Sequence, residues 1–586
     1  MQDHGVVEIM RGCPNGCRFC QAGYMYRPHR EKDAELIIAE VDRLVTRSGY
    51  TEITLASLST GDYSGILDLL KNLNDRYSSR GVSFSLPSLK ISSFLLPILR
   101  EVKVVRKTGL TFAVETPEEQ WQLCLNKSTE AEKITDILKH ARELGWKGAK
   151  FYFMIGLPPS FNEDEENAIV RFMQSLYAQV PMNYTVNVGT FVPKPHTPYQ
   201  WAPMLDEREA FRRAMYIKKS LSKRFFKVSF HDTFQSFLEA MISRGDERAG
   251  DIIEKAFRAG AVLDAWEEHL DKNAWRSAIE TADWDVAAET LTGRSFEKPL
   301  PWDVIDLHVA SGFLAKEREK SLKGELTGAC EEPCGHNCGS CRGERSIRQA
   351  GRNAEPGTGT GASQPDGDCV KYLFSFKKLD AAVYLSHLNL VRIFERAFIR
   401  SGFQPCYSEG FNPQPKIEFA QPLSLGVETH GDMCAVELKG NPGCAELERA
   451  CNSALPEGIG ITSIRALPAN PDGRKPPSLM SLYAGSDYTV QPDGTSSGLS
   501  LEKVAEKLEG YFTRKNITNC GVSAGAEFLE VKIRPHSEGR GNILAILREA
   551  LDTDEPLGLG LSVARTRMWA GTGGKGEADY FSVFNV

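Results

Sequence analysis

The sequence has no run of about 18 uninterrupted apolar residues, so it offers no helix suited to spanning a membrane. Its first residues, MQDHGVVEIMRG, carry no basic stretch followed by an apolar one, which excludes the pattern of a secretory signal. Nor is there a surplus of positive charge. Against 70 Lys and Arg stand 77 Asp and Glu, a formal net charge of −7, which argues against a chain-wide basic surface for nucleic acid and leaves room only for a local patch. No convincing short-period repeat is visible. These absences lead to the expectation of a cytoplasmic protein with no membrane partner. The 586 residues, 41% hydrophobic and 25% charged, are too many for one core and suit several globular domains.

Cysteine, by contrast, is plentiful. Cytosolic thiols stay reduced, so the 14 cysteines need a reason other than structural disulfides. Seven of them fall in two tight groups, at 13–20 and 330–341. Cys124, Cys369, Cys406, Cys434, Cys444, Cys451 and Cys520 are scattered and read as ordinary small residues.

Residues 1–200 alternate short apolar strands with helical segments. The strands are VVEIM (6–10), TEITLAS (51–57), VSFSLPS (82–88), LTFAVE (110–115), AKFYFMIG (149–156) and YTVNVGTF (184–191). Such alternation implies a parallel sheet with right-handed crossovers, and six units make a partial, TIM-like (β/α)6 barrel. Its chemistry is expected at the C-terminal ends of the strands. Residues 205–345 read as a helical, Cys-rich middle segment with Trp266, Trp275, Trp284 and Trp302 as core anchors. The Gly-, Pro- and Ser-rich stretch at 346–368 reads as a flexible linker. Residues 369–586 read as an α+β domain of ferredoxin-like type. The expected division is therefore 1–204, 205–345, 346–368 and 369–586.

The first cysteine group follows the first strand. Cys13, Cys17 and Cys20 stand at Cys-x3-Cys-x2-Cys spacing. Three thiolates can hold three irons of a cubane and leave the fourth open to a chelating substrate. A structural zinc wants four ligands, and here His4 and His29 are poorly placed fourths. A loop of inert thiols is the third reading.

With Phe19 just before the last cysteine, this segment resembles the radical S-adenosylmethionine (SAM) signature. The resemblance continues through Ser57-Leu58-Ser59-Thr60-Gly61-Asp62 after the second strand, Glu115 at the end of the fourth, Met154-Ile155-Gly156-Leu157-Pro158 after the fifth, and Pro193-Lys194-Pro195-His196-Thr197-Pro198 after the sixth. It implies a [4Fe–4S] cluster on Cys13, Cys17 and Cys20. It implies SAM contacts from Ser59, Gly61, Asp62, Glu115, Ile155 and Gly156, and reductive cleavage of SAM to a 5′-deoxyadenosyl radical that abstracts hydrogen from a substrate. It also implies a reductant such as flavodoxin or ferredoxin.

Cys330, Cys334, Cys338 and Cys341 lie within GACEEPCGHNCGSCRG, and four thiolates satisfy either zinc or an auxiliary iron–sulfur cluster. In the last domain Leu385-Ser386-His387-Leu388-Asn389-Leu390-Val391-Arg392 starts a helix capped by Ser386, with Arg392, Arg396 and Arg400 as a basic stripe, and Tyr407–Lys416 follows as a rigid turn. These segments resemble a domain of unknown function linked to radical SAM proteins. His231-Asp232, Ser243–Asp246 and the Asp264/Trp266 region resemble the linking part of the same family. Asn389 and Gln414 stand where that domain is expected to have Asp and His, so they receive no catalytic role. The family usually carries a cobalamin-binding domain before the barrel. The chain starts just before the first strand, and cobalamin binding is not expected for it. Two other classes stay open: an RNA- or ribosome-modifying radical SAM enzyme, and a non-catalytic nucleic-acid-binding protein with structural or redox clusters.

Overall fold

The computed structural model describes residues 4–87, 96–106, 109–330, 337–341, 348–349, 368–409, 413–468, 476–494, 499–535, 541–572 and 576–584. The chain divides into two compact units, Met1–Val41 with Glu52–Glu355, and Asp42–Thr51 with Pro356–Val586.

Among the described residues, the first unit carries two wholly parallel sheets, of three and four strands. Strands β1 (Gly5–Glu8), β2 (Glu52–Ala56) and β3 (Ser83–Ser85) pair in that order, as do β4 (Leu110–Glu115), β5 (Gly148–Ile155), β6 (Asn183–Thr190) and β7 (Phe226–Phe230). The six expected strands are all present. The seventh falls inside the stretch read as helical.

Helices fill the crossovers, and alternation along the strands explains their seating. Ala149, Phe151, Phe153 and Ile155 of β5, with Tyr184, Val186 and Val188 of β6, pack against Ile134, Leu138, Ile169, Met173 and Ile217 of the surrounding helices. The intervening residues, Tyr152, Thr185 and Asn187 among them, point to the opposite face. There the Asn187 amide donates to Ser229 Oγ on β7 at 3.1 Å. One face of the sheet is thus an apolar core, and the other carries polar side chains.

The middle segment is helical over Thr233–Arg244, Arg248–Arg258, Lys272–Glu280, Val286–Leu291 and Ser311–Lys323. Trp275 and Trp302 are core residues as expected, but Trp266 is 55% exposed. It precedes a 3-10 turn at the surface, so it anchors nothing there. Asp232 caps the helix at Thr233 and pairs with Lys272. The buried Arg244 guanidinium donates to the carbonyls of Thr290 (2.6 Å) and Thr292 (3.2 Å). The linking motifs singled out in the sequence therefore brace helices. Of the linker expected at 346–368, Arg348 and Gln349 instead pair as a short strand with Glu31 and Lys32, and residues 350–367 lie outside the described residues.

Among its described residues, the second unit holds a nine-stranded sheet. Its strands are β8 (Cys369–Lys378), β9 (Ile417–Phe419), β10 (Glu428–Lys439), β11 (Ile459–Ala466), β12 (Tyr483–Pro492), β13 (Gly521–Ala524), β14 (Leu529–Ile533), β15 (Leu561–Gly571) and β16 (Glu577–Ala578). The helix His387–Arg400 follows β8 and Cys444–Ala454 follows β10, and the strands lie in the order β11-β8-β10-β9. Leu501–Arg514 follows β12 and Ile543–Leu551 follows β14, in the order β15-β12-β14-β13. Each set is a β-α-β-β-α-β unit of ferredoxin-like order. The expected ferredoxin-like topology is therefore present twice. The halves join where β10 runs parallel to β15, with Glu428 opposite Ala564 and Thr429 opposite Arg565.

The expectation for two cysteines needs correction. Cys369 and Cys406, read as ordinary small residues, form a disulfide with one another. Cys406 sits beside β10, its amide bonded to the Glu437 carbonyl at 2.8 Å, and Cys369 opposes Lys439 of the same strand. The strand pairing brings together two residues 37 apart in sequence.

Candidate functional site

The loop carrying Cys13, Cys17 and Cys20 leaves the C-terminal end of β1, and each of the three thiols is partly buried. Gly12 turns it with φ +80°, where a Cβ would stand 2.5 Å from the Tyr26 carbonyl, so no other residue fits. The loop is held from several directions. The Arg18 amide donates to the Leu125 carbonyl at 3.0 Å. The Gly16 carbonyl accepts from Tyr24 Oη at 3.3 Å and from Asn126 Nδ2 at 3.2 Å. Phe19 packs against the apolar group Leu125, Leu157, Phe191, Tyr199 and Ala202, drawn from the ends of three further barrel units. The thiols thus stand at the barrel end where such folds place their chemistry.

Arg18, between Cys17 and Cys20, is fully buried. Its guanidinium meets Glu317 Oε2 at 3.2 and 3.3 Å and donates to the carbonyls of Leu123 (3.3 Å), Cys124 (3.0 Å) and Glu325 (2.7 Å). This ties the loop to the helix Ser311–Lys323 and to the chain after it. The sequence reading missed Arg18, although a charged residue inside an otherwise apolar and turn-forming motif was the available signal.

Several of the SAM-contact candidates converge on this loop. Asn15 Nδ2 lies 3.6 Å from Cys13 Sγ and donates to Asp62 Oδ2 at 2.6 Å, while Ser59 Oγ donates to the same oxygen at 2.6 Å. The turn after β2, which includes Gly61, is therefore bound directly beside Cys13. Glu115 ends β4 with φ +66°. Its carboxylate accepts from Lys127 Nζ at 2.7 Å, and the ammonium lies 5.7 Å from the Phe19 ring centre. Burial works to lower the Lys127 pKa, but Glu115 and the thiols of Cys17 and Cys20 outweigh it and leave it above the ordinary lysine value. The sequence suggests Asn15 only as part of a Pro14-Asn15 turn and does not single out Lys127, and both belong to the loop's polar surround.

Ile155 and Gly156 are more committed. The Ile155 carbonyl accepts from the Phe191 amide at 2.9 Å, and the Gly156 amide donates to Glu165 Oε1 at 2.6 Å. Burial raises the Glu165 pKa against hydrogen bonds from Ser160, Gly156 and Arg213. Any adenine contact at this turn would have to use its remaining atoms. His196 has φ +57°, its amide donates to Gln200 Oε1 at 2.8 Å, and its buried Nε2 meets no hydrogen-bond partner among the described residues.

The loop's donor set fits a cubane. Among the described residues no three His, Cys, Asp or Glu side chains converge tightly enough to hold a single metal ion. Thiolates on a cubane bind different irons and need no common centre. The loop supplies three thiols, an amide donor at Cys13 and an ammonium facing Cys17 and Cys20.

In the second cysteine group Cys330 and Cys338 are buried and Cys341 is partly buried, while Cys334 lies outside the described residues. The Cys330 amide donates to the Pro14 carbonyl at 2.7 Å, so this group begins against the first loop. In the second unit Ser386 caps its helix as expected, accepting from the Asn389 amide at 3.3 Å.

Comparison with known proteins agrees with this geometry. Residues 7–173 match the radical SAM superfamily, and residues 371–547 match DUF2344, a family described as an uncharacterised protein conserved in bacteria. The chain is 25% identical to the uncharacterised protein MJ0966 of Methanocaldococcus jannaschii over 284 residues, 47% of this chain and 62% of that protein. It is 27% identical over 172 residues to the tRNA-2-methylthio-N(6)-dimethylallyladenosine synthase of Clostridium novyi, 28% of this chain and 38% of the synthase. Among solved structures, the radical SAM methyltransferase TsrM of Kitasatospora setae overlaps 33% of this chain and 38% of its own, with 12% identity and a TM-score of 0.28. The chain spans less than two thirds of the length of these proteins.

Proposed function

We propose that this chain, which carries a radical SAM domain at residues 7–173, is a radical SAM enzyme with its cluster on Cys13, Cys17 and Cys20. The observation that carries the assignment is the presentation of these three thiols at the C-terminal end of β1, with Asn15 joining Cys13 to the Ser59–Asp62 turn. When bound, the [4Fe–4S] cluster and SAM supply a 5′-deoxyadenosyl radical for hydrogen abstraction.

The chain's own residues bind, orient and exclude. Ser59 and Asp62 form an acceptor-rich turn beside Cys13, suited to the SAM amino group. Glu115, fixed by Lys127, offers a carboxylate at the barrel end for the ribose hydroxyls. Gly61 keeps the turn after β2 free of a side chain. Ile155 and Gly156 shape the wall beyond it. Phe19, Leu125, Leu157, Phe191 and Tyr199 make the floor apolar, which keeps water from a reactive radical. The external electron donor is proposed as a flavodoxin- or ferredoxin-type protein. RNA is the proposed substrate class, on the similarity to tRNA-modifying enzymes.

The test is anaerobic reconstitution with iron and sulfide, then reduction with SAM present. 5′-Deoxyadenosine should form with the full chain and fail to form with Cys17→Ala. A fully loaded protein that leaves SAM intact, with RNA present or absent, would reject the assignment.

A further inference from the structure

The second cysteine group repeats the spacing of the first. Cys334-x3-Cys338-x2-Cys341 matches Cys13-x3-Cys17-x2-Cys20, and Cys330 adds a fourth thiol upstream. A spacing that reaches three corners of a cubane in one loop does so in another, and the fourth thiol closes the corner that the first loop leaves open. Zinc takes four thiolates too, but its structural sites more often draw them from two separated pairs.

The structure places Cys330 against the first loop. Besides the bond from the Cys330 amide to Pro14, the Asn126 side chain bridges the loops. Its Nδ2 donates to the carbonyls of Gly16 (3.2 Å) and Thr327 (3.1 Å), and its Oδ1 accepts from the Thr327 amide at 2.8 Å. Cys338 packs with Tyr24, Phe313 and Leu314, and its carbonyl accepts from the Ala310 amide at 2.9 Å.

Between the two loops lies Arg27. It is 8% exposed, with its guanidinium 4.8 Å from the Tyr24 ring centre and 5.4 Å from that of Phe313. Nε donates to the Gly23 carbonyl at 3.1 Å, and among the described residues NH1 has no hydrogen-bond partner and no carboxylate pairs with the side chain. On its other side, a Cβ built on Gly16 would stand 3.6 Å from NH2. A guanidinium buried without counter-charge is costly, and thiolate-bound clusters are anionic.

We infer that Cys330, Cys334, Cys338 and Cys341 hold a second [4Fe–4S] cluster, fully ligated by thiolates and docked on the loop of the first, with Arg27 as the buried counter-ion between them. Cys334 enters this set by its spacing alone. The inference rests on the proposed function for its first cluster. A cubane with four thiolates has no open iron for SAM, so its chemistry is one-electron transfer. When bound at Cys330, Cys334, Cys338 and Cys341, such a cluster would supply one-electron transfer toward the first, with a reduced flavodoxin- or ferredoxin-type donor oxidised by one electron.

The test is iron, sulfide and zinc analysis of the anaerobically reconstituted full chain, with EPR after reduction. We expect about eight irons and eight sulfides per chain without zinc, and a spectrum broadened by coupling between two nearby paramagnets. Cys338→Ala/Cys341→Ala should hold about four irons with an uncoupled signal, and Cys13→Ala/Cys17→Ala/Cys20→Ala should also hold about four. About four irons in the unaltered protein that survive Cys338→Ala/Cys341→Ala overturn the inference, and so does one zinc per unaltered chain beside them. Iron retained by the second group and absent from the first would refute the proposed function and leave the second site standing.

Discussion

Replacing Arg18 by Met should undock the chain segment 325–330 from the loop that bears Cys13, Cys17 and Cys20. The guanidinium is fully buried and meets one carboxylate and three carbonyls. Removing one member of a buried pair costs about 3–5 kcal/mol, because a charge stays behind without its partner. Here most of the abandoned groups keep another donor. Glu317 retains Lys320 Nζ at 2.9 Å and Thr327 Oγ1 at 2.8 Å. The Cys124 carbonyl retains Tyr199 Oη at 2.9 Å, and the Leu123 carbonyl retains the Asn126 amide at 3.1 Å. Among the described residues, only the Glu325 carbonyl loses its donor without such a substitute. The cost therefore belongs at the lower end, about 3 kcal/mol, or roughly a hundredfold in the docking equilibrium. The Thr327 and Cys330 amides, which bond to Asn126 and Pro14, report docking directly. Native-state hydrogen exchange at these two amides should accelerate by roughly two orders of magnitude in Arg18→Met. Arg18→Lys should behave similarly, since an ammonium cannot fork to the carboxylate and carbonyls together. Unchanged exchange at both amides, together with full iron loading, would refute this account of the loop.

Two further expectations follow from buried features. Gly156→Ala forces a φ of +78° on an alanine and sets its Cβ 2.7 Å from Leu205 Cγ, so it should destabilise the barrel by about 1–3 kcal/mol, read as a loss in thermal midpoint. Leu205→Ala should not rescue it, because the backbone strain would remain; full rescue would show that the clash alone mattered. Lys378 is buried on β8, donating to the Val383 carbonyl at 3.1 Å, and burial lowers its pKa to about 8. Because the folded-state value is the lower one, the unfolded chain binds more protons between about 8 and the unfolded lysine value of about 10.4, and stability rises with pH across that window. Lys378→Met should flatten that rise and leave the protein at least as stable at pH 7 by urea denaturation; a large destabilisation at pH 7 would contradict it.

The sequence exposed the cysteine loop and the six barrel strands well because both signals are local. Cys13, Cys17 and Cys20 lie within eight residues, and the β5 pattern alternates over its full length. The seventh strand was hidden. Phe226–Phe230 is five residues long, exposes Lys227 and Ser229 on one face, and sits in a charged helical stretch. The supporting partners of Arg18 and Asn126 were not legible for another reason. These partners, Glu317 and Thr327, stand respectively 299 and 201 positions away in the contacts they make, and periodicity carries no information at that range.

The doubling of the ferredoxin-like unit shows the same limit from the opposite side. Each half has strands and helices that the sequence pattern indicates, yet β9, only three residues long, is absent from any periodic reading, so neither the strand count nor the repeat could be recognised. The join is smaller still: two residue pairs between β10 and β15. So short a ladder is a weak connection by itself. At that point Arg565 donates to Asp432 Oδ2 at 3.0 Å, Tyr488 Oη at 3.1 Å and the carbonyls of Gln421 (3.4 Å) and Pro422 (3.2 Å), all from a fully enclosed position. Asp432 and Gln421 belong to the first half, Tyr488 and Arg565 to the second. One buried cation thus spans the seam and satisfies acceptors on both sides, which fixes how the two halves continue into a single sheet.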